Sequence, residues 1–205
     1  KRQGGATIAE PNYAYPVPPG PNDLDLFPLK FPPVDASPKQ GVSPIAIIDS
    51  GLRADAELDG FVLASFDALN PDKPISDSGG HGTQMAFIAA GVIKPIGVEG
   101  DSVTQMPIIP IKAFDENGFT SNVLLMESLE YALDHGARVM SLSWGSETKS
   151  EFLSEALESA SSKGLIIVAS AGNEPTGDPH YPAAYPAVIG VGALAPDGKA
   201  WEKSN

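Results

Sequence analysis

Three polar side chains occupy positions from which they could take part in acid–base chemistry. Asp49 closes the apolar run of residues 45–48, and Asn173 ends the segment 168–173. His81 lies in Gly-Gly-His-Gly-Thr, residues 79–83, where glycines allow close backbone approach to an exposed imidazole. A carboxylate can orient an imidazole that accepts and returns a proton, and an amide can donate to a developing oxyanion.

Each of these residues also has a simpler interpretation when it is taken alone. Asp49 could cap a turn, Asn173 could form an Asx-turn, and His81 could be an ordinary surface histidine. Phosphoacceptor domains, nucleotide-binding domains and hydrolases all place an Asp at the end of a strand. Asp49 by itself therefore does not distinguish these classes of protein.

Ser143, in Ser-Leu-Ser-Trp-Gly at residues 141–145, is a candidate nucleophile. The Gly-x-Ser-x-Gly elbow of the α/β-hydrolases occurs nowhere in the chain, which argues against that role. We expect instead an exposed backbone edge, where Gly145 leaves room for an extended peptide to lie alongside.

Six acidic residues suggest a site for a hard cation such as calcium. They are Asp55, Glu57, Asp59, Asp67, Asp72 and Asp77. No loop has Asp-x-Asp-x-Asp-Gly spacing, so a solvated acidic surface is the favoured interpretation. Calcium is thus a hypothesis without a specific motif.

The composition excludes several classes of protein. The 205 residues contain no cysteine, which excludes disulfide scaffolds, thiolate zinc sites and cysteine nucleophiles. The 26 acidic and 13 basic residues give a net charge of −13, which repels phosphate backbones and anionic lipid. No apolar run approaches the roughly 20 residues of a membrane-spanning helix. We therefore expect neither a nucleic-acid nor a membrane partner.

Alternating apolar runs and amphipathic stretches from residue 44 onward predict an α/β fold. The predicted strands are residues 45–49, 61–66, 107–114, 139–142, 165–171 and 187–193. Pro110 is unfavourable in the middle of the third strand. Short connections predict a mostly parallel sheet with helices on both faces, which binds ligands beyond the carboxyl ends of its strands.

Three helices are predicted between these strands. Two are residues 83–91 and 121–135, the second ending at Gly136, which suits a left-handed cap. A capping box, Thr148-Lys-Ser-Glu151, opens the third. Its predicted buried face is Phe152, Leu153, Ala156, Leu157 and Ala160.

Four ordered motifs resemble those of the subtilisin-like serine proteases, the subtilases. They are Ile45-Ala-Ile-Ile-Asp-Ser-Gly51, His81-Gly-Thr83, Ser143-Trp-Gly145 and Ala169-Ser-Ala-Gly-Asn173. Asp before His is that family's chain order. The resemblance covers residues 44–205 and implies a subtilisin-like α/β fold, whose C-terminal part we expect to be missing from these residues.

The resemblance also implies a role for each matching residue. Asp49 would accept the Nδ1 proton of His81, and His81 would be general base for a serine hydroxyl and then general acid for the leaving amine. Asn173 would donate to the oxyanion. The peptide cleft would be formed by Ser143, Trp144, Gly145, Ala171 and Gly172. Such an endopeptidase works through a seryl acyl-enzyme and requires no cofactor.

The N-terminal region holds 10 of the 20 prolines within residues 1–44, which predicts extended chain. Residues 8–13, Ile-Ala-Glu-Pro-Asn-Tyr, are similar to the end of the inhibitory propeptide of many subtilases. The implied organisation is a propeptide tail or leader at 1–24, a proline-rich linker at 25–43 and the N-terminal portion of a peptidase domain at 44–205. The expected partners are a peptide or protein substrate and the protein's own propeptide, in a secreted or extracytoplasmic setting.

The chain departs from the family pattern in three ways. Phe87 replaces a small residue in the helix after His81, and Trp144 replaces a smaller apolar residue of the cleft. The Gly-Thr-Ser-Met-Ala-like motif that carries the family's nucleophile does not occur. We therefore expect a fragment that lacks the nucleophilic serine and is inactive alone.

Two other functions stay open. A peptide-binding pseudoprotease of the same fold would hold a peptide along residues 143–145 without cutting it. A nucleotide- or phosphate-binding domain would share only Asp49 at a strand end, and no glycine-rich phosphate loop follows the first strand.

Overall fold

The computed structural model describes residues 41–93, 104–195 and 197–205, together with the backbone of residues 14–16. The strands are β1 (Ala14–Pro16), β2 (Ile45–Asp49), β3 (Phe66–Asp67), β4 (Ile108–Lys112), β5 (Phe119–Ser121), β6 (Val139–Leu142), β7 (Ile166–Ser170) and β8 (Val188–Val191). The helices are α1 (His81–Ala89), α2 (Asn122–Asp134) and α3 (Glu151–Ser162). Six strands form a parallel sheet in the order β3-β4-β2-β6-β7-β8, which confirms the expected α/β architecture.

Helices cover both faces of this sheet because alternate residues of a strand point to opposite sides. Ile47 of β2 packs in one apolar cluster with Phe87 of α1. Ala46 and Ile48 belong to a second cluster, which contains residues of α2 and α3. The continuous apolar run of β2 is therefore buried on both sides, and the next residue along it is Asp49.

Two features of α3 differ from the prediction. The predicted capping box at Thr148 is wrong, because the helix begins later and Ser150 Oγ accepts a hydrogen bond from the Leu153 amide at 3.0 Å. Leu153 is buried as predicted, whereas Phe152 is 38% exposed. Successive helical residues are rotated by about 100°, so Phe152 lies outside the buried face.

The predicted strand at residues 61–66 is wrong for most of its length. The Phe61 amide donates to the Leu58 carbonyl at 2.8 Å and closes a turn, and the Phe61 side chain is buried in the α1 cluster. Only Phe66–Asp67 forms a strand, β3.

This interruption explains how Pro110 fits within β4. The amides of Leu63 and Ala68 donate to the carbonyls of Ile108 and Lys112, at 3.0 and 2.9 Å. Pro110 lies two residues from each of these acceptors. Because alternate residues of a strand direct their backbone groups to the same side, the nitrogen of Pro110 also points towards residues 63–68. The ladder is interrupted there, and no neighbouring strand requires the amide hydrogen that proline lacks.

A second, two-stranded sheet was not predicted. β1 lies antiparallel to β5, with Ala14 opposite Ser121 and Pro16 opposite Phe119. The rest of the predicted leader and linker, residues 1–13 and 17–40, lies outside the described residues. Among the helices in the described ranges, the longest has 13 residues, and none has the length and apolarity to cross a membrane.

Candidate active site

The end of β2 and the beginning of α1 bring a carboxylate and an imidazole into contact. Asp49 is the last residue of β2 and His81 the first of α1. His81 Nδ1 lies 2.7 Å from Asp49 Oδ1, a short hydrogen bond between residues 32 positions apart. Asp49 is 1% exposed, whereas the His81 side chain is 15% exposed. Solvent and ligands can therefore reach the imidazole but not the carboxylate.

A second buried carboxylate organises the start of α1. Asp77 Oδ1 accepts hydrogen bonds from the Gly80 amide at 2.8 Å and from Ser50 Oγ at 2.9 Å. Asp77 Oδ2 accepts from the amide and the hydroxyl of Thr83, at 2.9 and 2.6 Å. Negative charge at a helix N-terminus is favourable because the free amides point at it. Asp77 thus acts as the cap that α1 lacks at its own N-cap residue, Gly80.

Ser50 joins this cap to Asp49. Its amide donates to Asp49 Oδ1 at 2.7 Å, and its hydroxyl accepts from the Gly82 amide at 2.9 Å. A Cβ at position 82 would overlap the backbone of Gly51 and approach Asp49 Oδ1 to 3.2 Å. Glycine at 82 is therefore required for α1 to lie close enough for His81 to contact Asp49.

The electrostatic surroundings favour the protonated form of His81. Burial disfavours the charged ring, but the hydrogen bond and charge of Asp49, helped by the charge of Asp77, raise the pKa of His81 above its ordinary value. Asp49 Oδ2 is buried and has no hydrogen-bond partner among the described residues. Among the described residues only Oδ1 of the Asp49 carboxylate accepts hydrogen bonds, so its negative charge is available to stabilise an imidazolium.

Asn173 lies near the same edge of the sheet. β2, β6 and β7 are parallel neighbours, so their carboxyl ends meet at one edge, and Ala171, Gly172 and Asn173 directly follow β7. Gly172 has a φ of +102°, a conformation that favours glycine. Asn173 is exposed, and no described residue hydrogen-bonds to its side-chain amide. No hydrogen bond joins it to Asp49 or His81 in the described residues.

The segment after β6 does not present its largest side chain to the groove. Trp144 is 1% exposed, and its Nε1 donates to the Ile48 carbonyl at 2.9 Å. Its ring lies against Phe114, with centroids 5.5 Å apart. Gly145 is buried as well, so the exposed backbone edge expected at residues 143–145 is limited to Ser143, which is half-buried.

His180 also lies in this region, although the sequence did not predict it as a site residue. Its ring lies close to both Gly145 and Gly172, the glycines that follow β6 and β7. Burial lowers the pKa of His180, against the opposing charges of Glu147 and Glu174. The signal in the sequence was indirect, since glycines at the ends of neighbouring strands indicate a close approach but not the residue that makes it.

The six acidic residues considered as a cation site do not form one solvated surface, because Asp67 and Asp77 are buried whereas the other four are exposed. Asp55, Asp67 and Asp77 line a cavity of about 550 Å³, but Arg53 and Lys112 line it as well. Asp77 is fully engaged at the start of α1 by the contacts above. In the described ranges, no group of three or more His, Asp or Glu side chains is arranged to hold a metal ion.

Comparisons with known proteins give consistent matches. The model of the subtilase family matches residues 40–205. The chain is 32% identical over 196 residues to the thermophilic serine proteinase of Bacillus sp. (strain AK1), covering 91% of this chain and 49% of that protein. It is 34% identical over 149 residues to thermitase of Thermoactinomyces vulgaris, covering 72% and 53%.

A further relative is the minor extracellular protease Epr of Bacillus subtilis, 30% identical over 150 residues, which cover 73% of this chain and 23% of that protein. The chain spans about half the length of the first two relatives, 49% and 53%.

Proposed function

Because the chain belongs to the subtilase family, we propose that its protein is a serine-type endopeptidase in which Asp49 and His81 are two members of the catalytic triad. The observation that carries this proposal is the 2.7 Å contact between Asp49 Oδ1 and His81 Nδ1. A histidine that donates from Nδ1 to a carboxylate keeps Nε2 unprotonated, which is the form required of a general base.

In this mechanism His81 Nε2 takes the proton of a serine hydroxyl while the serine oxygen attacks the peptide carbonyl carbon. The imidazolium that forms is stabilised by buried Asp49, and the raised pKa of His81 expresses the same stabilisation at equilibrium. The imidazolium then gives its proton to the leaving amine. Water hydrolyses the acyl-enzyme with His81 again acting as base and then acid.

Asn173 is proposed to donate its side-chain amide to the oxyanion of the tetrahedral intermediate. Its exposure and its place directly after β7 support this role. Removing one such donor lowers kcat by about 10²–10³, a magnitude known from a member of this family. The main chains of residues 143–145 and 171–172 are proposed to flank the peptide.

The nucleophile is proposed to come from outside these residues. The sequence contains no Gly-Thr-Ser-Met-Ala-like motif, and the chain spans about half the length of its relatives, 49% and 53%. On this proposal the 205 residues alone bind a peptide but do not complete acyl transfer.

Residues 1–24 are proposed to be a propeptide tail, joined by a linker at 25–43 to the peptidase portion at 44–205. The support is β1, which lies antiparallel to β5 with Tyr15 opposite Thr120. Pairing of this kind is how an extended peptide adds to an exposed strand. β1 would then occupy a strand position that a substrate also uses. A secreted setting is proposed with it, in line with the relative named as an extracellular protease.

Labelling of the full-length protein with a fluorophosphonate tests the proposed function. We expect stoichiometric labelling, which His81→Ala abolishes because the serine loses its base. His135→Ala is the matched control, since His135 is exposed at the end of α2, and it should label fully. A folded protein that binds peptides but takes no label would contradict the proposal and support a pseudoprotease.

A further inference from the structure

The imidazole of His180 lies between the two backbone segments that the proposed cleft uses. A Cβ built on Gly145 would lie 2.5 Å from His180 Nε2 and 2.7 Å from Cδ2. A Cβ built on Gly172 would lie 3.1 Å from Cγ and 3.2 Å from Nδ1. The ring therefore packs directly on both glycines, and any side chain at position 145 would displace it.

Main-chain contacts hold His180 in this place. The next residue, Tyr181, pairs with Ser146 through two hydrogen bonds, at 2.8 and 2.7 Å. The Ala184 amide donates to the His180 carbonyl at 2.9 Å. Within the described residues, by contrast, no side chain hydrogen-bonds to either ring nitrogen of His180. The main chain around His180 is thus held in place, and the ring nitrogens have no side-chain partner in this part of the structure.

Resting on the proposed function, we propose that His180 forms the end wall of the pocket that receives the substrate side chain preceding the scissile bond. Asn173 adjoins Gly172, so the attacked carbonyl must lie beside these residues. The side chain of the same substrate residue then points between the segments after β6 and β7, where the imidazole already fills space. His180 accordingly makes the pocket shallow and selects small or short polar side chains over large aromatic ones.

The chemistry of the ring agrees with this selection. Burial lowers the pKa of His180 and so favours the neutral imidazole, which has one hydrogen-bond donor and one acceptor. Glu147 and Glu174 are the charged groups that act on it, and both disfavour an acidic substrate side chain. A short hydroxyl or amide side chain can pair with the ring, whereas a phenyl group would have to displace it.

The test compares peptides that differ only in Ala, Ser or Phe before the cleaved bond, using the full-length protein and its His180→Gly variant. We expect the ratio of kcat/KM for Phe over Ala to rise about tenfold or more in His180→Gly, because the lost ring opens space. The ratio is independent of the fraction of active enzyme. His135→Gly is the control and should leave it unchanged.

A binding measurement keeps the inference separate from the proposed catalysis. Product peptides that end in Ala or Phe are titrated calorimetrically into the full-length protein and into His180→Gly. We expect the affinity for Phe relative to Ala to rise in the variant, even if neither protein cleaves peptides. His180→Gln, which retains polar atoms, repeats both measurements should the glycine variant unfold. A Phe-over-Ala preference that stays within about twofold of the starting protein, or that rises equally in His135→Gly, overturns the role of His180.

Discussion

At the scale of single residues, Asp77 connects the candidate site to the fold. Its two carboxylate oxygens accept four hydrogen bonds, from Ser50 and Gly80 and twice from Thr83. Its charge also contributes to the raised pKa of His81. From the sequence, Asp77 could be recognised only as one of several acidic residues, because a position four residues before a histidine does not reveal where a buried side chain points.

Replacing Asp77 by Asn should destabilise the fold and lower the pKa of His81. Whichever oxygen becomes an amide nitrogen, either the Gly80 or the Thr83 backbone amide loses its acceptor, at a cost of about 1–3 kcal/mol. Urea denaturation measures the loss of stability, and the acidic limb of the pH profile of kcat/KM measures the change in the pKa of His81. The exposed Asp72→Asn variant is the control. Equal stability and equal pH profiles for the two variants would show that Asp77 has neither role.

His81 and His180 should titrate on opposite sides of the ordinary histidine pKa, about 6.5. Asp49 and Asp77 raise the pKa of His81, whereas burial lowers that of His180. The stability gained from His81 is complete below about pH 6.5 and is lost as pH rises through its raised pKa. On the proposed mechanism peptidase activity has the opposite pH dependence, because His81 must be neutral to act as the base, and it should increase as pH rises through the same pKa.

NMR titration of the imidazole C–H signals measures both values. Asp49→Asn should move the His81 midpoint down and leave that of His180 in place. A His81 midpoint at or below about 6.5 in the unmodified protein would contradict the electrostatic account of the Asp49–His81 pair.

At the scale of elements, the buried strands could be predicted and the short ones could not. The boundaries of β2 and β6 agree with the sequence because apolar residues fill most of each strand, namely Ile45–Ile48 in β2 and Val139, Met140 and Leu142 in β6. β1 and β5 have three residues each and gain their structure from one another, so no local pattern marks them. Residues 61–66 contain enough apolar side chains for a strand, but a turn at Phe61 takes precedence.

The pairing of β1 with β5 makes its own prediction. Proline has no amide hydrogen, so replacing Ala14 and Tyr15 by proline should weaken the pairing and free β5. We expect cleavage of added peptides to become several-fold faster in the full-length protein. Prolines at Arg2 and Gln3, which precede β1, are the control. Equal rates in the two variants would remove β1 as a competitor of substrate.

At the scale of the whole molecule, the topology of the sheet creates the site. β2 lies between β4 and β6, and β7 follows β6, so chain segments far apart in sequence end at one edge. The contact between Asp49 and His81 could be predicted because the order of the sequence motifs indicates that the two residues meet. His180 could not, because its contact with Gly145 depends on how a loop returns after β7.

The most direct test of the account is the rate of peptide cleavage by Asp49→Asn in the full-length protein. The amide preserves size but cannot hold His81 in the tautomer that leaves Nε2 free. We predict a loss of about 10⁴-fold in kcat, the effect of the equivalent change in other serine proteases, with an unaltered circular dichroism spectrum. Asp72→Asn should keep full activity. A folded Asp49→Asn protein with kcat within about tenfold of the original would contradict the catalytic pairing of Asp49 with His81.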